Sequence, residues 1–182
     1  MSDPEQVAPI DSPEEHLAGL DSMFMAAIAA REAGDIDRAI DLLTEVLRRE
    51  PRLAEPRLEF GRILLDAERL EDAEDHTREA LAVLEAGGQW VEEIAPEIVL
   101  SVALSQLAEI LRQRADSDEI IFGDPAVFKA MLRESQQLFE RARTLDPSNE
   151  HAGYHAFFLG LDPDGDVPEL PDGDVAETDD SD

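Results

Sequence analysis

The fold is decided by residues 23–51, MFMAAIAAREAGDIDRAIDLLTEVLRREP. Two amphipathic segments, residues 21–33 and 36–49, flank a tight turn at Gly34-Asp35. Gly34 is expected to end the first helix, because glycine adopts the left-handed conformation without steric cost. Pro51 is expected to stop the second helix. The apolar residues of the second segment recur at helical spacing and predict one continuous apolar face: Ile36, Ala39, Ile40, Leu43, Val46 and Leu47.

The same pattern returns 34 residues further along the chain. Small residues fall on small residues, with Ala27 followed by Gly61 and Ala39 by Ala73. Where two helices cross closely only glycine or alanine fits, so these positions indicate repeated helix crossings. A helix pair that recurs every 34 residues resembles the tetratricopeptide repeat family. The terminating Pro51 also matches that family's motif.

Three positions depart from the family pattern: Ala26 stands where a larger residue is usual, Thr77 replaces a large apolar group, and Glu85 replaces the second proline. The third motif is longer than the first two. Gly87-Gly88 breaks the chain, and residues 90–114 then predict one long, largely buried helix. Its apolar residues cover most of the circumference: Ile94, Ile98, Val99, Val102, Leu104, Leu107, Ile110 and Leu111.

The rest of the chain completes an all-α solenoid in this interpretation. A loop at residues 115–125 precedes a helix capped by Asp124-Pro125, and Ser148-Asn149 begins a last, aromatic-rich helix that covers the final apolar face. The prediction is a short tetratricopeptide-type solenoid over residues 13–161, with about three helix pairs and a capping helix. Residues 1–12 and 162–182 are expected to be disordered acidic ends.

The charge is strongly acidic, with 44 acidic residues against 15 basic residues and a net charge of −29. This balance argues against binding nucleic acid or anionic membranes, which require positive charge. It permits a basic partner, and it equally fits adaptation to high salt. There is no cysteine, no signal peptide and no apolar run long enough to span a membrane, so a cytoplasmic location is expected.

No residues predict an enzyme, a cofactor or a metal site. His151 and His155 share a helix face at zinc-compatible spacing, but no third ligand is evident and we interpret them as surface histidines. The segment Asp162–Asp166 resembles the start of a calcium loop but lacks the later glutamate. No nucleophile–base pair or phosphate-binding glycine loop is present.

The resemblance implies a concave groove that is lined by the first helix of each pair and binds a partner protein or peptide. The corresponding residues here are Phe24, Ile28, Arg31, Leu58, Arg62 and Leu65. The apolar members of this set fit the core between repeats equally well. The lysines and asparagines of the family's best-known carboxylate clamp are absent, so chaperone C-termini are not expected ligands.

Ile120, Ile121 and Phe122 form a second candidate surface, because three apolar residues in a polar insertion must be covered by the protein or by a partner. We favour self-packing. The leading functional hypothesis is a non-enzymatic adaptor. The alternative is an acidic chaperone or shield for a basic protein, including a role like that of secretion chaperones. A module for self-assembly is a third hypothesis, and the sequence does not predict the oligomeric state.

Overall fold

The computed structural model describes residues 13–91 and 93–160 of the 182-residue chain. Within these residues the chain forms helices and no strand, which confirms the all-α prediction. The expected disordered ends, residues 1–12 and 162–182, lie outside the described residues. The helices are α1 (Pro13–Glu32), α2 (Ile36–Arg49), α3 (Ala54–Asp66), α4 (Leu70–Glu85), α5 (Pro96–Ala115), α6 (Asp118–Ile121), α7 (Pro125–Leu145) and α8 (Glu150–Leu159).

Three helix pairs stack in chain order. The α1–α2, α3–α4 and α5–α7 pairs are the most closely packed partners, with α2 also against α3 and α4 against α5. The single-turn α6 lies in the connection within the third pair, and α8 packs on α7. The predicted arrangement of three pairs and a closing helix is therefore confirmed. None of these helices is long and apolar enough to cross a membrane.

The two turns inside the first two pairs have the same backbone geometry. Gly34 has φ 79° and Glu68, 34 residues later, has φ 58°. The following N–H groups bond back to the preceding helix in the same way, Asp35 to Ala30 at 2.8 Å and Arg69 to Leu64 at 2.9 Å. The repeat therefore preserves a left-handed helix end even where glutamate replaces glycine, at a steric cost that glycine avoids.

Gly61 marks the tightest helix crossing. A Cβ atom at this position would lie 2.5 Å from Thr77 Oγ1 and 2.9 Å from Gln106 Nε2. Gln106 Nε2 donates hydrogen bonds to the carbonyl oxygen of Leu58 at 3.0 Å and to Thr77 Oγ1 at 2.9 Å. Thr77, a departure from the repeat pattern, is thus explained as the acceptor that joins α4 to α5.

Two sequence expectations for the third pair need correction. The helix begins at Pro96 rather than at residue 90, because the preceding residues fold back onto the first repeat. Most apolar residues of α5 are buried, but Ile98 and Val102 are 43% and 46% exposed. They lie four residues apart and so share one helix face. No neighbouring helix covers that face in the described part of the chain.

The closing helix α8 contacts the solenoid mainly through small residues. Ala152 and Ala156 are buried, whereas Tyr154 and Phe158 are 59% and 48% exposed. The expectation that its aromatic residues cover the final apolar face is therefore wrong for these two. The helix is fixed at its start by Asn149, whose side chain accepts a hydrogen bond from the N–H of Ala152.

Candidate partner-binding groove

A cavity of about 210 Å³ opens between α1, α3 and α5, the first helices of the three pairs. Phe24 of α1, Leu58 of α3 and Val102 of α5 form its apolar walls. The polar lining residues come from α3 and α5: Glu55, Glu59, Arg62 and Gln106. We call this cavity the groove. Its position is the one that the repeat pattern implies for partner binding.

Three of the six residues expected in the groove line it: Phe24, Leu58 and Arg62. Phe24 and Leu58 are only 7% and 9% exposed, so each also belongs to the core. Ile28 and Leu65 do not line the cavity and pack, half-buried, against the core. For the apolar positions, the core interpretation therefore accounts for two residues and a combined role for the other two.

Arg31 and Arg62 are joined by one carboxylate. Glu59 accepts hydrogen bonds from Arg31 Nε and from Arg62 Nη2, the latter at 2.8 Å. The Glu59 side chain is only 10% exposed, whereas that of Arg62 is 43% exposed. The two arginines expected at this surface are thus neutralised in part by a buried acid. The groove presents Arg62 at its wall, while Arg31 lies outside its lining.

The connection between α4 and α5 closes one end of the groove. Glu55 Oε1 accepts hydrogen bonds from the backbone N–H groups of Trp90 at 2.8 Å and Val91 at 2.9 Å. The Trp90 ring lies 5.7 Å from that of Phe24, centre to centre, and also packs against the cluster of Leu20, Val46 and Leu53. Sequence reasoning placed Trp90 in a helix and missed this contact with the first repeat.

Glu55 retains one unused acceptor. The residue is 8% exposed, and its Oε2 atom is buried without a hydrogen-bond partner among the described residues. A buried carboxylate oxygen without a partner is energetically costly. Because Glu55 lines the groove, a hydrogen-bond donor bound there would remove part of this cost. The signal available in the sequence was a glutamate in the first turn of a helix, which is commonplace.

The apolar insertion is only partly covered. Ile120 is half-buried and lines a second cavity of about 370 Å³, which α6 shares with the turn before α4 and with Arg114. Ile121 and Phe122 are 51% and 84% exposed. The self-packing that we favoured is therefore wrong for these two residues. Because α6 has a single turn, only one side of it can face the protein.

The two histidines of α8 meet a third polar residue. Ligand atoms of His151, His155 and Glu109 all lie within 4.8 Å of one another. Burial, His151 and Arg112 lower the pKa of His155, against the opposing effect of Glu109. Burial alone would raise the pKa of Glu109, but hydrogen bonds from Arg112 and Gln113 lower it below its usual range. Sequence reasoning missed Glu109 because it lies on α5, 42 residues before His151.

Comparisons with known proteins agree with this architecture. Residues 30–90 match the tetratricopeptide repeat family. The first tetratricopeptide repeat domain of Spaghetti (RPAP3), solved with the HSP90 peptide SRMEEVD, is 15% identical with a TM-score of 0.57, covering 81% of this chain and 92% of that one. The N-terminal domain of stress-induced protein-1 (STI-1) from C. elegans is 10% identical with a TM-score of 0.58, covering 80% and 98%.

Likenesses at these identities show the fold alone, and no curated protein matches the chain in sequence. The family match, the 34-residue period and the stacked helix pairs nevertheless agree. The chain is a tetratricopeptide repeat protein, a class of helical repeat whose typical work is protein–protein interaction.

Proposed function

We propose that this protein is a non-enzymatic adaptor that holds a segment of a partner protein in the groove between α1, α3 and α5. The observation that carries this proposal is the exposed apolar face of α5. Val102, 46% exposed, forms one wall of the cavity, and Ile98, 43% exposed, extends the same face along the helix. Large apolar side chains that remain open beside a cavity are typical of binding surfaces.

The groove's polar residues indicate the chemistry of the segment that it would accept. Glu55 Oε2 has no partner among the described residues and accepts hydrogen bonds only. The one cation in the lining, Arg62, is already paired with Glu59. A segment with an apolar side chain beside a donor, such as a lysine, an arginine or a free backbone N–H, fits these groups.

An acidic C-terminal peptide fits the groove poorly. The Spaghetti (RPAP3) domain was solved with such a peptide, SRMEEVD. In the present chain two carboxylates, Glu55 and Glu59, face the cavity and no lysine lines it. Like charges brought together in a partly buried site repel strongly. We therefore propose a neutral or basic segment as the partner.

A photo-crosslinking amino acid in place of Val102 tests this proposal. The matched control is the same amino acid in place of Val127, which is 43% exposed on α7, away from the groove. A discrete adduct with a protein that forms from position 102 and not from position 127 is the expected result. Equal labelling from both positions, or none from position 102, would count against the groove.

The alternative function is an acidic shield for a basic protein, and the net charge of −29 favours it. Such binding would use the whole surface and the acidic segment 162–182. It would weaken steeply with salt, because exposed charges are screened over about 8 Å at physiological ionic strength. Groove binding that depends on apolar contact changes little with salt. Binding measured at low and high salt, with and without residues 162–182, separates the two functions.

A further inference from the structure

The histidine pair of α8 and Glu109 of α5 have the arrangement of a metal site that joins two helices. His151 and His155 lie four residues apart, so both rings project from one helix face. Glu109 faces them from the neighbouring helix, and the ligand atoms of all three lie within 4.8 Å of one another. We propose that Glu109, His151 and His155 bind a divalent transition-metal ion of the zinc class.

The donor set suits such an ion. Zinc commonly takes three protein ligands from imidazole nitrogens and carboxylate oxygens, with water in the fourth position. Bonds of about 2.1 Å in a tetrahedral site separate the donor atoms by about 3.4 Å. The three side chains must therefore close by at most about 1.4 Å. His151 is exposed and can make most of this adjustment by rotation about its side-chain bonds.

Glu109 is held in place and keeps one free site for a ligand bond. Its Oε1 accepts hydrogen bonds from Arg112 and Gln113, both at 2.7 Å, and its Oε2 accepts one from Arg112 at 2.9 Å. A carboxylate offers about four acceptor sites, so one remains, on Oε2. Hydrogen bonds of this kind orient ligating carboxylates in metal sites. The positive charge of Arg112 opposes the ion and limits its affinity.

The imidazole rings are also held in position. His155 stacks on Phe139 with ring centres 4.9 Å apart, and His151 meets the same ring edge-on at 5.5 Å. The start of α8 is fixed against α5 by Asn149, which donates to the hydroxyls of Ser101 and Ser105 at 2.9 and 3.0 Å. A bound ion would add a second link between these helices, one to two turns further along α8.

Calorimetric titration of the full, tag-free chain with Zn²⁺ tests the site. We expect one Zn²⁺ per chain, binding at least tenfold weaker in His151→Ala and in Glu109→Gln, and unchanged binding in His76→Gln. His76 lies on α4 and is the matched control. The melting temperature should rise with Zn²⁺ in the wild type and not in His151→Ala. Co²⁺ should give the visible absorption of a tetrahedral complex.

With 44 acidic residues in the chain, weak binding to scattered carboxylates must be distinguished from this site. Mg²⁺ measures that background, because it prefers oxygen ligands and would be indifferent to His151→Ala. The proposal is overturned if Zn²⁺ shows no saturable binding. It is equally overturned if His151→Ala and Glu109→Gln both bind Zn²⁺ as the wild type does.

Discussion

Glu55 Oε1 accepts a hydrogen bond from the backbone N–H of Trp90 at 2.8 Å, across 35 residues of sequence. This bond ties the connection after α4 to the first turn of α3 and so brings the Trp90 ring onto Phe24. The groove is closed at this end by a segment that belongs to neither of the two regular repeats. Its shape therefore depends on one buried carboxylate as well as on the repeat geometry.

Replacing Glu55 with alanine should loosen this connection. The change leaves two backbone N–H groups, those of Trp90 and Val91, without their acceptor. We expect a loss of about 1–3 kcal/mol in the free energy of unfolding. Trp90 is the only tryptophan, so its fluorescence should shift to the red and become easier to quench. Glu93→Ala, an exposed acid in the same connection, is the control, and an unchanged spectrum in Glu55→Ala would contradict the assignment.

Gly61→Ala should destabilise the fold. Its Cβ would clash with Thr77 Oγ1 and Gln106 Nε2, and these two atoms are themselves hydrogen-bonded. Forcing an extra methyl group into such a contact typically costs about 1–3 kcal/mol. Gly153→Ala is the control of opposite sign: it has open space inside α8 and should stabilise the helix by about 0.5–1 kcal/mol. Urea unfolding of both variants checks the pair.

Glu74 should contribute a pH-dependent part of the stability. Burial alone would raise the pKa of Glu74, but hydrogen bonds from Arg78 and Arg114 outweigh it and hold the pKa below its usual range. Because the folded state binds a proton less readily than the unfolded state, the stabilisation is fully present well above the unfolded pKa of about 4.3. It is lost as the pH falls from there through the lower folded-state pKa.

The matching variant is Glu74→Gln. At neutral pH we expect it to be less stable than the wild type by about 1 kcal/mol, a figure reduced for partial solvent screening. The difference should shrink as the pH is lowered through the acid range, in urea unfolding at a series of pH values. A difference that stays constant down to acid pH would show that the charge of Glu74 is not responsible.

The exposed end of α6 should be neutral for folding. Phe122 is 84% exposed, so Phe122→Ser should change the free energy of unfolding by less than about 0.5 kcal/mol. Ile120→Ser should cost more, because Ile120 is half-buried at the second cavity. Thermal melting compares the two. A large fall in melting temperature for Phe122→Ser would restore the self-packing interpretation that the structure corrects.

The sequence could predict what the 34-residue period determines. The period sets the helix pairs, the crossing at Gly61 and the left-handed helix ends, since each depends on local residue size and turn chemistry. Contacts between elements without a repeat signature were not predictable in this way. Trp90 reaches the first repeat and Glu109 meets His151 only because of how distant segments pack, and helical periodicity alone does not encode that packing.

The exposure of Ile98 and Val102 was missed for a related reason. An apolar pattern that covers most of a helix predicts burial on all sides. It does not reveal that one side faces a groove rather than another helix. Phe24 and Leu58 illustrate the converse, because the same side chains serve both the core and the groove wall.

The most direct test of the adaptor role compares two matched substitutions, Val102→Lys in the groove and Val127→Lys outside it. Both valines lie on helices, and they are 46% and 43% exposed. The measurement is the dissociation constant of the protein that is crosslinked from position 102. The account predicts binding at least tenfold weaker, or about 1.4 kcal/mol, for Val102→Lys and unchanged for Val127→Lys. Equal affinities for the two variants and the wild type would contradict it.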